Sequence, residues 1–380
     1  MKYKFWLPLV IVLNGGLVKA NETDAPKADS SKTNYSTFKR SLTISGLMQL
    51  RYTYSLTDHV DVNGKNFSET GITNSFSLRR IRVSTKANIN DHFDANILVN
   101  LAEFSSNPQN KVLENAFIRY HYSKALNFQV GQFRPFFGPE DLLPADIIKS
   151  LDYSNQYNLF GASGWQSFQV GFAVYGDLNP KAVVPLRYYA GVNNGNNRNQ
   201  PTDNDNRKHY YGRLEADILK AITLGVNAGT GSAKNESANA WGADVTASMP
   251  LSSKCKFELM SEYKAGANFA EYLAATDETR KPIDQYYNKG FYVFPNFRYQ
   301  IDHPRLRSIE LSSRYEYLKE NYKINDNLHQ TVTPMVSLEF ADDYYARIEV
   351  GCIIDMYDHN VPLSTQYNHN TGVIQFQVRF

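Results

Sequence analysis

The chain has 380 residues, 42% hydrophobic and 13% aromatic, and its one long apolar run lies at the N-terminus. That excludes a bundle of membrane-spanning helices, each of which would need about 20 consecutive apolar residues. The formal charge of +2 includes Lys2, Lys4 and Lys19 of a segment expected to be removed; the rest is close to neutral, which argues against nucleic acid or any other polyanionic partner.

Residues 1–20 carry Lys2 and Lys4, an apolar stretch from Phe5 to Leu13, and Val18-Lys19-Ala20 with short side chains at the cleavage positions. This is the pattern of a cleaved secretory signal peptide. No cysteine follows it, so a lipoprotein anchor is not expected. Asn21 to Ser41 is polar, with too little apolar surface to fold alone, and reads as a flexible periplasmic lead-in.

From residue 42 onward the hydropathy alternates with a period of two. Leu42, Ile44, Met48, Leu50, Tyr52 and Tyr54 share one parity, and Thr43, Ser45, Gln49, Arg51 and Thr53 the other. Such alternation denotes a strand with one apolar and one polar face. It recurs at Phe93–Leu101, Ala116–Tyr122, Phe168–Val174, Trp241–Met249 and Ile374–Phe380. Sixteen strands are predicted, starting near 42, 75, 93, 113, 127, 165, 186, 209, 222, 240, 255, 290, 307, 330, 344 and 372. Cys255 and Cys352 fall on non-adjacent strands, and no disulfide is expected.

An even number of long antiparallel strands suits a closed membrane barrel, in which every backbone group finds a partner and no edge stays open. A soluble sandwich also alternates, so the connections decide. A long polar link is expected after each odd-numbered strand: Ser55–Thr73, Ala102–Lys111, Arg134–Ser163, Asn193–Lys208, Ala265–Lys289 and Tyr357–Thr371. Tight links follow most even-numbered strands, as at Asn90–His92, Ser123–Leu126, Leu219–Ala221, Pro250–Lys254 and Ala341–Asp343. Long extracellular loops and short periplasmic turns are the asymmetry of outer-membrane barrels. Aromatic residues agree: Tyr52, Tyr54, Tyr263, Tyr315 and Tyr317 fall at the outer rim, and Phe93, Tyr120, Tyr122, Phe128 and Phe380 at the inner rim. Nearly all strand charges keep to the polar parity. A lumen rich in both signs is expected to hold water, because poorly paired buried ions cost several kcal/mol each.

One segment breaks the period. Phe76-Ser77-Leu78-Arg79-Arg80-Ile81-Arg82-Val83 needs a bulge at Arg79-Arg80 to restore register, which would turn extra guanidinium groups inward. This segment, with Gly131-Gln132-Phe133-Arg134-Pro135-Phe136-Phe137-Gly138-Pro139-Glu140 and Asn193-Asn194-Gly195, resembles the phosphate-selective porin O/P family. The resemblance runs over most of the mature chain and extends to a terminal aromatic, Phe380. It implies an outer-membrane porin: a sixteen-stranded barrel, a homotrimer, passing small hydrophilic solutes or ions by passive diffusion. It further implies a third loop, Arg134 to Ser163, folded inward as a constriction that includes Phe137, Gly138, Glu140 and Asp141. Leu142-Leu143 and Ile147-Ile148 of that loop would be buried by such folding. Phosphate or anion preference would rest on lumen-facing Arg51, Arg79, Arg80, Arg82, Lys86, Arg119 and Arg134, since guanidinium suits phosphate oxygens. The loop carboxylates Glu140, Asp141, Asp146 and Asp152 count against that preference.

Other chemistry is poorly supported. His121, His209 and His329 have no serine motif nearby, no glycine-rich phosphate loop occurs, and no His/Cys cluster has metal-ligand spacing. Asp203-Asn204-Asp205-Asn206 reads as a solvated loop tip. The expectation is a channel without cofactor or catalytic site; a closed structural or adhesive outer-membrane barrel is the alternative.

Overall fold

The computed structural model describes residues 40–104, 112–200, 202–203 and 205–380; the expected signal peptide at 1–20 and nearly all of the lead-in at 21–41 lie outside the described residues. Sixteen strands form one closed ring: β1 (Ser41–Ser55), β2 (Asn74–Asn88), β3 (Phe93–Asn100), β4 (Leu113–Ser123), β5 (Leu126–Phe133), β6 (Gln169–Leu178), β7 (Leu186–Asn193), β8 (His209–Leu219), β9 (Ile222–Ala233), β10 (Glu236–Pro250), β11 (Cys255–Ala267), β12 (Tyr287–His303), β13 (Leu306–Lys319), β14 (His329–Ala341), β15 (Ala346–Tyr357) and β16 (His369–Arg379). Each pairs antiparallel with its sequence neighbours, and β1 pairs with β16 to complete the ring. Closure removes every sheet edge, the condition for strands to sit in hydrocarbon.

The wall is inverted relative to a water-soluble protein. On β16, Gln375 and Gln377 are 0% and 1% exposed, whereas Ile374, Phe376 and Val378 are 38%, 48% and 50% exposed. The same inversion holds on β1, where Gln49 and Arg51 are buried and Met48 and Leu50 exposed. Apolar side chains facing outward need a hydrocarbon solvent, and the polar side chains face the lumen. No helix among the described residues is long and apolar enough to cross a membrane.

The connections follow the expected asymmetry with two corrections. β9 and β10 are joined at the long-loop end by Lys234 and Asn235 alone, with Lys234 at φ 51°; a two-residue hairpin needs positive φ and no loop. At the same end, β11 continues to Ala267 and β12 starts at Tyr287, so the polar link is shorter than Ala265–Lys289 and holds helix α3 (Phe269–Ala274).

The lumen is also drier on one side than its charge content suggests. Phe137, Phe160, Trp165, Tyr211, Phe269, Tyr272, Ile283 and Tyr286 form an apolar cluster with Ala233, Ala238, Ala240 and Ala267. Small lumen-facing residues on β9 to β11 make room for it. A Cβ on Gly229 would come within 3.2 Å of Phe137 and 3.3 Å of Trp165, and one on Gly266 within 3.3 Å of Phe160. Water is thereby excluded from the β9–β11 side of the long-loop half.

Candidate functional site

The opposite wall, β1 and β2, carries the basic cluster. Gln49 pairs with Arg80 and Leu50 with Leu78, which leaves Arg79 as the extra residue of a bulge. Both consecutive arginines therefore turn inward. Arg79 Nε donates to Asp152 Oδ1 at 2.8 Å, Arg80 Nη2 to the same oxygen at 3.1 Å, and Arg51 Nη1 to Oδ2 at 2.7 Å. Arg80 also donates to Gln49 at 2.7 Å, and Arg51 to Gln375. Burial works against ionisation of Asp152, yet the charges of Arg51, Arg79 and Arg80 outweigh it and hold the carboxyl well below the usual range. Three guanidinium groups against one carboxylate leave an excess of positive charge at this point.

The remaining predicted arginines do different things. Arg82 pairs with Glu114 at 2.8 Å, joined by Arg198 at 3.6 Å from the same carboxylate. Arg119 pairs with Asp94 at 2.9 Å, which His121 also contacts at 2.7 Å. Lys86 is exposed toward the short-turn end of β2. Arg134 donates to the carbonyls of Glu140 and Leu143 and to the Tyr153 hydroxyl, so it braces its own segment.

Residues 134–168, with helices α1 (Pro139–Leu142) and α2 (Asn155–Ala162), are held by lumen-facing side chains of several strands. Ser154 Oγ caps α2 by accepting from Tyr157 N at 3.1 Å, and donates to Glu140 Oε2 at 2.5 Å. Asn155 N donates to Glu316 on β13 at 2.6 Å, and Arg314 Nη1 to the Asp152 carbonyl at 2.6 Å. Arg347 Nη2 reaches the Ile148 carbonyl at 2.7 Å, and Lys264 reaches Gln166 at 2.8 Å. Gln166 in turn donates to Asp141 at 2.7 Å. Burial pushes the Asp141 carboxyl up to about 6, against the pull of Lys264 and Arg134.

The four residues expected at the constriction are thus anchors. Phe137 is fully buried in the apolar cluster, and Gly138 adopts φ 150° where a Cβ would strike Glu262 and Lys264. Glu140 and Asp141 bond within the segment. Asp152 and Tyr153 face the arginines instead. Nothing in the residue types separates Asp152 from the other loop carboxylates; its partners lie about 70 to 100 positions away in sequence. Arg198, from the polar link after β7, was equally hidden.

Two cavities flank this point. One of about 530 Å³ runs toward the short-turn end and is lined by Arg79, Arg80, Arg82, Arg134, Arg198 and Arg379 as well as Glu103, Glu114 and Asp146. The other, of about 480 Å³, opens toward the long loops beside Thr53, Asn63, Asp355 and His369. Arg79 and Tyr153 line both. The Arg79 side chain is 42% exposed while those of Arg51 and Arg80 are buried, so Arg79 presents the accessible guanidinium. Among the described residues no group of three or more His, Cys, Asp or Glu is placed to hold a metal ion.

Comparison with known structures returns porins. DcaP, an outer membrane channel of Acinetobacter baumannii, superposes with a TM-score of 0.59 at 13% identity, covering 91% of this chain and 99% of that one. An anion-selective porin from Comamonas acidovorans gives 0.59 at 8% identity over 90% and 100%. The trimer form of OmpT from Vibrio cholerae gives 0.56 at 10% identity over 90% and 99%. At such identities the likeness concerns the fold. No curated protein matches by sequence. The family model for phosphate-selective porin O and P matches residues 52–248, from the end of β1 to the end of β10, a span that contains the bulged arginines and the segment bound to them. The chain belongs to the phosphate-selective porin O and P family, and its barrel is an outer-membrane channel.

Proposed function

We propose that the channel passes small hydrophilic solutes with a preference for anions, along the β1–β4 side of the lumen. The observation that carries this reading is the convergence of Arg51, Arg79 and Arg80 on a single carboxylate between two cavities. An anion entering from either side meets Arg79, whose remaining N–H donors face open space. Residues 134–163 act as the constriction loop by filling the far side of the lumen and meeting the basic wall through Asp152 and Tyr153, with a cavity left on either side of Arg79. The assembly is a homotrimer, in keeping with its family and with the trimer form of the OmpT neighbour, and the 1–20 segment is removed on export. Native mass spectrometry of the purified protein would check both of the latter points.

The test is reversal potential in planar bilayers under a potassium chloride gradient. Wild type should favour chloride, and Arg79→Glu and Arg82→Glu should shift the potential toward potassium. An unchanged potential in both variants would overturn the reading. A closed structural barrel is the second reading, favoured by the apolar cluster inside the long-loop half; absence of steady ohmic conductance would establish it.

A further inference from the structure

A third cavity, of about 320 Å³, lies across the lumen against β9 to β12 and shares no lining residue with the two beside Arg79. Its apolar lining comes from two sources. Leu143, Ile147 and Ile148 belong to the 134–168 segment, and Met260 on β11 lies opposite Phe294 on β12. Both wall residues share the lumen-facing parity of buried Glu262 and Asn296, so they put apolar surface on a face that is otherwise largely polar. The segment side is fixed through its backbone: Arg134 donates to the Leu143 carbonyl at 3.0 Å and Arg347 to that of Ile148 at 2.7 Å. Leu143 and Ile147 nevertheless stay only half-buried, so the docked segment leaves apolar surface uncovered here.

The charges around this cavity are unequal. Both carboxylates of its lining are engaged: Glu258 Oε2 accepts from Lys149 and Oε1 pairs with Lys256 at 2.8 Å, while Glu140 takes the Ser154 amide and hydroxyl. Lys149 keeps further N–H donors, and exposed Lys220, in the turn between β8 and β9, adds a second ammonium at the short-turn end. We propose that this cavity binds a small amphiphilic anion, its apolar body between Ile147 and the Met260–Phe294 pair and its head group at Lys149 and Lys220. The volume suits a small-molecule body, apolar burial supplies affinity, and a charge-assisted hydrogen bond to Lys149 sets the orientation. Because the occupant touches segment and wall together, it stabilises the docked segment by mass action. None of this depends on the anion preference at Arg79.

Titration calorimetry of the protein in lipid nanodiscs, with empty nanodiscs as the blank, tests this with hexanesulfonate. Methanesulfonate carries the same head without the body, and hexyltrimethylammonium the same body with the opposite charge. Hexanesulfonate should bind saturably, and the other two at least about tenfold more weakly. Ile147→Asn and Met260→Ser should each weaken hexanesulfonate by about tenfold, and Lys149→Gln should weaken it and narrow its advantage over the cation. Met260→Ser alters the wall alone and decides the matter if Ile147→Asn undocks the segment. No saturable binding above the blank, equal affinity for all the probes, or variants that bind hexanesulfonate as tightly as wild type would each overturn the site.

Discussion

Truncating Phe160 separates the role of the 134–168 segment from that of the barrel. Phe160 is fully buried, its ring lies 6.5 Å from that of Phe137, and Gly266 has no side chain where Phe160 packs. Phe160→Ala removes this packing at a cost of about 3–5 kcal/mol. No strand pairing involves Phe160, so the loss falls on docking of the segment against the wall. A loss of about 4 kcal/mol raises the undocked fraction by roughly a thousandfold. In planar bilayers the mean conductance should rise and the open-channel noise increase, while heat-modifiable migration in detergent gels stays as in wild type. Phe297→Ala, on the outward face of β12, is the control. Wild-type conductance and noise in a correctly folded Phe160→Ala protein would refute the idea that this segment restricts flow.

Leu311→Arg places a charge on the outward face of β13, where the leucine is 59% exposed. It should destabilise the barrel by about 2–4 kcal/mol, read as a lower urea midpoint in lipid vesicles; an unchanged midpoint would mean that this face does not meet hydrocarbon. Arg213→Met should cost about 3–5 kcal/mol in the same assay, because it strands Asp244, now bonded at 2.6 and 2.9 Å, while Glu215 keeps Arg187 at 2.8 Å. The penalty should shrink when Asp244→Leu is added. Docking of the 134–168 segment should also depend on pH. The Asp141 carboxyl titrates near 6 when docked against an ordinary 3.8, so the docked state binds the proton more tightly. Its contribution, up to about 3 kcal/mol, is fully present below about pH 4 and is lost as pH rises through 6. Asp152, held below the usual range, works the other way and loses its contribution only on deeper acidification. Channel noise should therefore fall between pH 7 and 5, and Asp141→Asn should abolish that change.

Much of this architecture is legible along the chain. A period of two is a local property: each strand's alternation specifies its outward face, and Leu50 against Arg51 is enough to orient β1. The interruption at Arg79-Arg80 is likewise local, since a doubled inward residue forces a bulge wherever the strand lies. Link lengths set which end faces outward, except at Lys234-Asn235, where a positive φ closes the hairpin without a loop. The lumen's contents obey another logic. The small residues Gly229 and Ala233 on β9, and Ala238 and Ala240 on β10, are a readable sign of space, but what fills it arrives from Phe137, Phe160 and Trp165 far away in the chain. Four carboxylates in one loop are chemically alike; position inside the closed ring alone makes Asp141 a buried anchor and Asp152 the partner of three arginines. Strand faces follow from neighbouring residues, whereas charge pairing across the lumen exists only once the ring has closed and brought distant side chains within reach.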